Sequence, residues 1–338
     1  MAKSAHTFSS IMTSLKKKEY SPIYFLYGDE SYFIDQIADY IEDNVLSEGE
    51  KGFNQSVYYG KDIDAKSLLA AARRFPMMAP YQVIIVKEAQ NMSKLDELLP
   101  YVENPVESTI LVFAYKNKSP DKRTKFGKAI LDHVAFESKR LYDNQVAPWV
   151  ESYLKERGKR MSPKALQWVA EALGTEISRV ANELDKLLLN AGPEADISDQ
   201  QVSASIGINR EYNVFELQSA LAIGDFNKCI RIIQYFASSK NQFGKPVVLI
   251  GSLYSWFSKL ILVHASPSKD ERSLASVLGV NPFFVKEYLQ AARHYSPAKL
   301  EKIMALMLEF DLKSKGVNSG SEDDAALLKE LMVKIYEA

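Results

Sequence analysis

The stretch Pro22-Ile23-Tyr24-Phe25-Leu26-Tyr27-Gly28-Asp29-Glu30-Ser31-Tyr32-Phe33-Ile34 carries the decision about the fold. Residues 23–27 are apolar at consecutive positions, the pattern of a strand buried on both faces. Gly28-Asp29-Glu30 turns the chain, and a helical pattern follows over 31–46. Further candidate strands lie at 56–59, 82–87, 109–115 and 134–137, each bounded by turn residues, with helix-like stretches at 65–74, 94–102 and 122–132. Apolar strands alternating with helices imply a parallel sheet covered on both faces, so residues 1–143 are expected to form an α/β domain.

From Asn144 onward the strand signal disappears and helical periodicity takes over. Ser162-Pro163 predicts a helix start, a cap followed by proline at the first position, and Gly174 a stop. Leu184, Leu187 and Leu188 share one face of a helix expected over 176–190, which Ala191-Gly192-Pro193 ends. A boundary is expected near 208–212, after a short helix at 198–206. Beyond it, helices are expected at 214–223, 226–238, 247–264, 282–294, 297–315 and 322–336. The reading is therefore three-part: α/β over 1–143, a small helical domain over 144–210 and a larger helical bundle over 211–338. The length of 338 residues fits two or three domains. A hydrophobic share of 46% with 25% charged residues is that of a folded soluble protein.

Composition excludes several classes. Lys and Arg number 42 against 43 Asp and Glu, so the whole chain is no electrostatic magnet for nucleic acid or anionic lipid. Apolar runs such as 83–86 and 110–113 are far shorter than the roughly 20 residues that span a bilayer, and no membrane association is expected. Residues 1–6 lack the apolar core of an export signal. The single cysteine, Cys229, excludes an internal disulfide and a cysteine-cluster zinc site. It reads as a small buried residue, and a cytoplasmic location is expected.

The turn after the first strand is where an α/β nucleotide-binding domain places its phosphate loop. A working loop needs G-x-x-x-x-G-K-[S/T]: backbone N–H groups cradle phosphate, lysine neutralises it and the hydroxyl holds magnesium. Counting from Gly28, those last three positions hold Phe33, Ile34 and Asp35, while Asp29 and Glu30 repel phosphate. After the strand at 82–87, Glu88 stands alone where a magnesium-binding acidic pair belongs. Gly244-Lys245-Pro246 lacks both the upstream glycine and the following hydroxyl. His6, His133, His264 and His294 are too scattered for a metal motif. No cofactor, metal or catalytic residue is assigned.

Binding is what remains. Arg73-Arg74-Phe75-Pro76-Met77-Met78-Ala79-Pro80 follows a helix and precedes a strand, and its two prolines break regular pairing. Phe75, Met77 and Met78 suit either of two roles, packing beneath the sheet or forming an exposed apolar contact. A basic segment, Lys116, Lys118, Lys122, Arg123 and Lys125, with Lys128 beyond it, is compatible with phosphate contact, but a solvated helix face is the commoner reason for such a pattern.

The order of these motifs resembles the delta-subunit family of bacterial DNA polymerase III, the sliding-clamp loader. The stretch 22–34 resembles that family's first strand and degenerate phosphate loop. Asn182-Glu183-Leu184-Asp185-Lys186-Leu187 resembles its middle-domain helix. Phe215-Glu216-Leu217-Gln218-Ser219-Ala220, Gly224-Asp225, Asn281-Pro282-Phe283-Phe284-Val285-Lys286 and Phe310-Asp311-Leu312-Lys313 resemble its collar. The resemblance spans about residues 20 to 335. It implies an AAA+-like N-terminal domain without ATPase activity, a small helical lid and an all-α collar that oligomerises with motor (tau/gamma) and delta-prime subunits. It also implies a non-catalytic subunit that binds the beta sliding clamp through Phe75, Pro76, Met77 and Met78 and helps place the ring on primed DNA. Motor subunits need an intact phosphate loop, and motor and delta-prime subunits share a Ser-Arg-Cys finger. Here the only cysteine follows Lys228. Two other classes remain as alternatives, a divergent ATPase and an autonomous DNA-binding module built on the basic segment.

Overall fold

In the computed structural model, residues 6–207, 212–238, 245–317 and 323–338 are described. Most of the boundary expected near 208–212 lies outside them, as do Gly244 and Glu322. Close contacts divide the chain into two compact units, Met1–Tyr142 with Thr175–Ala181, and Asp143–Gly174 with Asn182–Ala338. Most of the two helical segments expected after residue 143 therefore falls within one unit.

The first unit is built on five strands: β1 (Ile23–Gly28), β2 (Gln55–Tyr59), β3 (Gln82–Lys87), β4 (Thr109–Lys116) and β5 (Val134–Ser138). They pair in the order β2-β3-β4-β1-β5, all parallel. In this register Gly28 stands beside Lys116 on one side and Ser138 on the other. Among the described residues, the helices lying wholly in it are α1 (Phe8–Lys16), α2 (Ser31–Asn44), α3 (Glu48–Asn54), α4 (Ala65–Ala72), α5 (Leu99–Glu103) and α6 (Lys125–Ile130).

The period of two sorts the strand side chains between two cores. Ile23, Phe25, Ile84, Val86, Leu111 and Phe113 meet Leu68, Val102 and Ile130 from α4, α5 and α6. Tyr24, Leu26, Val83, Ile85, Ile110 and Val112 meet Ile11, Leu15, Ile34, Ile37 and Ile41 from α1 and α2. Burial on both faces explains why the strands read as unbroken apolar runs.

The second unit begins with α7 (Asp143–Glu156), β6 (Arg160–Met161), α8 (Pro163–Leu173), α9 (Ile177–Asn190), β7 (Asp196–Ile197) and α10 (Asp199–Ile206), although the first residues of α9 group with the first unit. Ser162 caps α8 by accepting from the Ala165 N–H. It continues with α11 (Val214–Ile223), α12 (Phe226–Ser238), α13 (Pro246–Ala265), α14 (Glu271–Leu278), α15 (Val285–His294), α16 (Pro297–Ser314) and α17 (Asp324–Glu337). Leu253, Trp256, Phe257 and Leu260 of α13 lie at the centre of their core, with Ile303, Phe310 and Leu331. By length and composition alone α13 could cross a membrane, at 20 residues and a mean hydropathy of 1.6, but these side chains are committed to a protein core.

Three expectations are corrected. The helix expected over 122–132 is confined to Lys125–Ile130, because Thr124 caps it by accepting from the Gly127 N–H. The helix expected over 94–102 divides into a 3-10 turn, Leu95–Leu98, and α5, with Lys94 in a left-handed conformation before it. Strand structure does not vanish after residue 143, since β6 and β7 form a short parallel pair.

A closed turn and an open loop in the α/β unit

The chain leaves β1 at Gly28 and enters α2 at Ser31, so only Asp29 and Glu30 lie between them. Gly28 has φ +126°, and a Cβ there would stand 2.2 Å from the Ser138 carbonyl oxygen. Both facts require glycine. The Glu30 N–H donates to the Ser138 carbonyl at 3.2 Å, and the Ser138 hydroxyl donates to the Glu30 carbonyl at 2.6 Å.

Glu30 is buried and caps α2, its carboxylate accepting from the Tyr32 N–H at 3.0 Å. Burial pushes the carboxyl pKa up, against the opposing pull of that N–H and of Arg140. A helix N-terminus facing a strand end is where an anion binds, and here the chain's own carboxylate occupies it. Phe33, Ile34 and Asp35 lie within α2. Asp35 is held by Lys116 at 2.6 Å, and Lys87, at the end of β3, pairs with Glu42 at 2.9 Å and Asp39 at 3.5 Å. The two lysines nearest the strand ends thus meet carboxylates of α2.

The loop between α4 and β3 is arranged oppositely. Phe75 is 80% exposed, Met77 63%, and Met78 wholly so, while Pro76 is half-buried. The alternative of packing beneath the sheet is overturned. Ala79 and Tyr81 are the loop residues that reach the core, and Tyr81 meets Tyr20 edge-on at 5.4 Å.

Polar anchors hold this loop at both ends. The Ala72 carbonyl, at the end of α4, accepts from the Thr109 hydroxyl at 3.0 Å and from the Tyr101 hydroxyl at 3.4 Å. The Gln82 amide donates to the Ala71 carbonyl at 2.7 Å. Midway, buried Asn54 accepts from the Met77 N–H at 2.6 Å and donates to the Met77 carbonyl at 2.9 Å. Met78 follows with φ +55°, a left-handed conformation that costs a side-chain-bearing residue about 1–2 kcal/mol. Next to Asn54, Phe53 is also exposed. Asn54, Thr109 and Gln82 were missed by sequence reasoning. An isolated polar residue at a helix or strand boundary carries no periodic signal.

The basic segment is less free than its composition implies. Lys116 pairs with Asp35, and Arg123 with Asp121 at 2.8 Å, which holds the Asp121 carboxyl down at about 2. Lys118, Lys122 and Lys125 are exposed without an ion-pair partner among the described residues. Cys229 is buried, and its thiol is pushed up to about 12 by burial. His133 and His264 each bond a backbone carbonyl, at 2.7 and 2.8 Å. Among the described residues no three His, Cys, Asp or Glu side chains gather into a metal-holding group.

A five-stranded parallel sheet in the order β2-β3-β4-β1-β5, covered by helices and followed by a helical region, defines the class as an α/β protein whose turn after β1 lacks the residues of a phosphate loop. Sequence profiles refine this. The family described as DNA polymerase III, delta subunit, matches residues 24–137, and the C-terminal domain of the DNA polymerase III delta subunit matches residues 211–335. The chain belongs to the DNA polymerase III delta-subunit family.

Among curated relatives, DNA polymerase III subunit delta of Bacillus subtilis (strain 168) is 25% identical, over 97% of this chain and 96% of that one. The probable DNA polymerase III subunit delta of Aquifex aeolicus (strain VF5) is 21% identical, over 93% and 91% respectively. The solved Bacillus subtilis DNA clamp loader delta protein shares the fold, with a TM-score of 0.51 and 23% identity over 98% of this chain and all of that one.

Proposed function

We propose that this chain is a clamp-loader subunit that grips the beta sliding clamp through Phe75, Pro76, Met77 and Met78 and stabilises the opened ring, without hydrolysing ATP itself. The observation that carries the reading is the outward display of three large apolar side chains on a loop anchored at both ends. Burying three such side chains in a partner yields roughly 5 to 9 kcal/mol gross, before association costs. Shifting a ring from 1:99 to 99:1 open takes about 5.5 kcal/mol of differential affinity, so the loop has to prefer the opened shape.

The absence of ATP hydrolysis rests on Glu30 occupying the helix N-terminus and on Phe33, Ile34 and Asp35 standing where glycine, lysine and a hydroxyl are needed. In this reading, residues 144–210 form a lid and 211–338 a collar that joins motor (tau/gamma) and delta-prime subunits in the cytoplasm. Lys118, Lys122 and Lys125 are left to contact primed DNA or a neighbouring subunit within the complex.

The test is retention of the organism's own clamp by wild type and by a Met77→Ser/Met78→Ser variant. Both side chains are exposed, so the variant is expected to melt as wild type does and to bind the clamp roughly a hundredfold more weakly. Unchanged retention by the folded variant refutes the site. Separately, magnesium-dependent nucleotide binding and turnover by the isolated chain would overturn the non-hydrolysing role.

A further inference from the structure

We infer that Asn54 is a positioning residue for this contact: it holds the Met77 peptide in place so that the apolar loop is displayed before any partner arrives. The inference rests on the proposed clamp contact. Asn54 is 3% exposed, and its side-chain amide reproduces what a neighbouring strand would offer, one acceptor for the Met77 N–H at 2.6 Å and one donor to the Met77 carbonyl at 2.9 Å. Its amide nitrogen also donates to the Glu50 carbonyl at 3.1 Å, which fixes the side chain against the last turn of α3.

The two bonds satisfy both backbone polar groups of one loop residue, in the peptide units on either side of its Cα, through a side chain 23 residues away. They also bear on the positive φ of Met78. The Met77 carbonyl is held on one side of that torsion and Ala79 packs on the core on the other, so relaxing it disturbs one of these two holds. Without Asn54, the loop has its anchors only at Ala71, Ala72 and the core residues Ala79 and Tyr81. Phe75, Met77 and Met78 are then free to fold back onto the sheet edge.

Binding that needs a preformed loop weakens by the fraction of molecules that hold it, so a tenfold drop in that fraction is read as a tenfold rise in Kd. The experiment compares wild type, Asn54→Ala, Met77→Ser/Met78→Ser and the triple variant for binding of the organism's clamp. Hydrogen exchange at the Met77 amide and thermal melting are followed in parallel. Asn54→Ala is expected to bind roughly tenfold more weakly, with exchange at Met77 accelerated by a similar factor. In the Met77→Ser/Met78→Ser background the same change is expected to cost little more.

Wild-type affinity for Asn54→Ala, alongside lost binding by Met77→Ser/Met78→Ser, overturns the positioning role and leaves the contact standing. An equal loss in both backgrounds also overturns it, by assigning Asn54 a general structural role. Retained binding by Met77→Ser/Met78→Ser removes the contact and this inference with it. Should Asn54→Ala not fold, Asn54→Ser carries the same test. It keeps a small polar group at the end of α3 that is too short to pair with both Met77 groups, and a weakening of about tenfold is again expected.

Discussion

The turn after β1 and the loop before β3 each join a helix to a buried strand of one sheet, and both are governed by a buried polar side chain. In the first, Glu30 turns inward and caps the following helix, and the backbone is locked to Ser138. In the second, Asn54 comes from a distant part of the chain and holds a peptide so that three apolar side chains face outward. The same physical requirement, satisfaction of buried polar groups, closes one site and opens the other. The difference lies in which groups are left unpartnered: a satisfied helix N-terminus has nothing to offer a phosphate, whereas exposed Phe and Met side chains have area to offer a protein.

The comparison is broken most severely at Gly28. Replacing it by alanine puts a Cβ against the Ser138 carbonyl and forces an L-residue to φ +126°. A loss of about 3 to 5 kcal/mol is expected from urea unfolding, with collapse of the turn. A Gly28→Ala chain as stable as wild type would mean that the turn is not locked at all.

Met78→Gly is expected to act with opposite signs on stability and contact. Glycine adopts the left-handed conformation without strain, so thermal stability should hold or rise by up to about 1 kcal/mol, even though the unfolded chain gains freedom. Clamp affinity should fall, because the wholly exposed side chain is gone. A variant that loses stability shows that the Met78 side chain supports the fold, contrary to its exposure.

The smallest effect is expected from Glu30→Gln, which keeps the cap bond to Tyr32 and removes the charge. Because burial raises the Glu30 pKa in the folded state, its contribution is full below the unfolded value of about 4.3 and is lost as pH rises through the folded value. The glutamine variant should therefore gain on wild type as pH rises from 4 to 7 in thermal melts. A gap that widens in the other direction would place the carboxylate in a charge-stabilising environment.

The sheet was legible because its strands are buried on both faces and so appear as runs such as Val83-Ile84-Ile85-Val86 between turn residues. The missing phosphate-loop chemistry was legible too, since it depends on residue type at fixed spacing. Helix limits were not, where a local cap such as Thr124 competes with periodicity. β6 and β7 are too short to have a pattern. For Phe75, Met77 and Met78 the same residue types suit a core and a contact. Only the placement of Asn54, Thr109 and Gln82 decides, and those partners lie 23, 37 and 11 residues from the groups they bind.

The bonds at Met77 also have a mechanical meaning. Asn54 stands where α3 runs into β2, the edge strand of the sheet, so a pull on Met78 passes through two hydrogen bonds loaded side by side into that strand. The lever arm is a single residue long. A loop tethered only at its ends has to straighten before it carries load, whereas this one is held at its midpoint as well, and a load on Met78 reaches β2 directly.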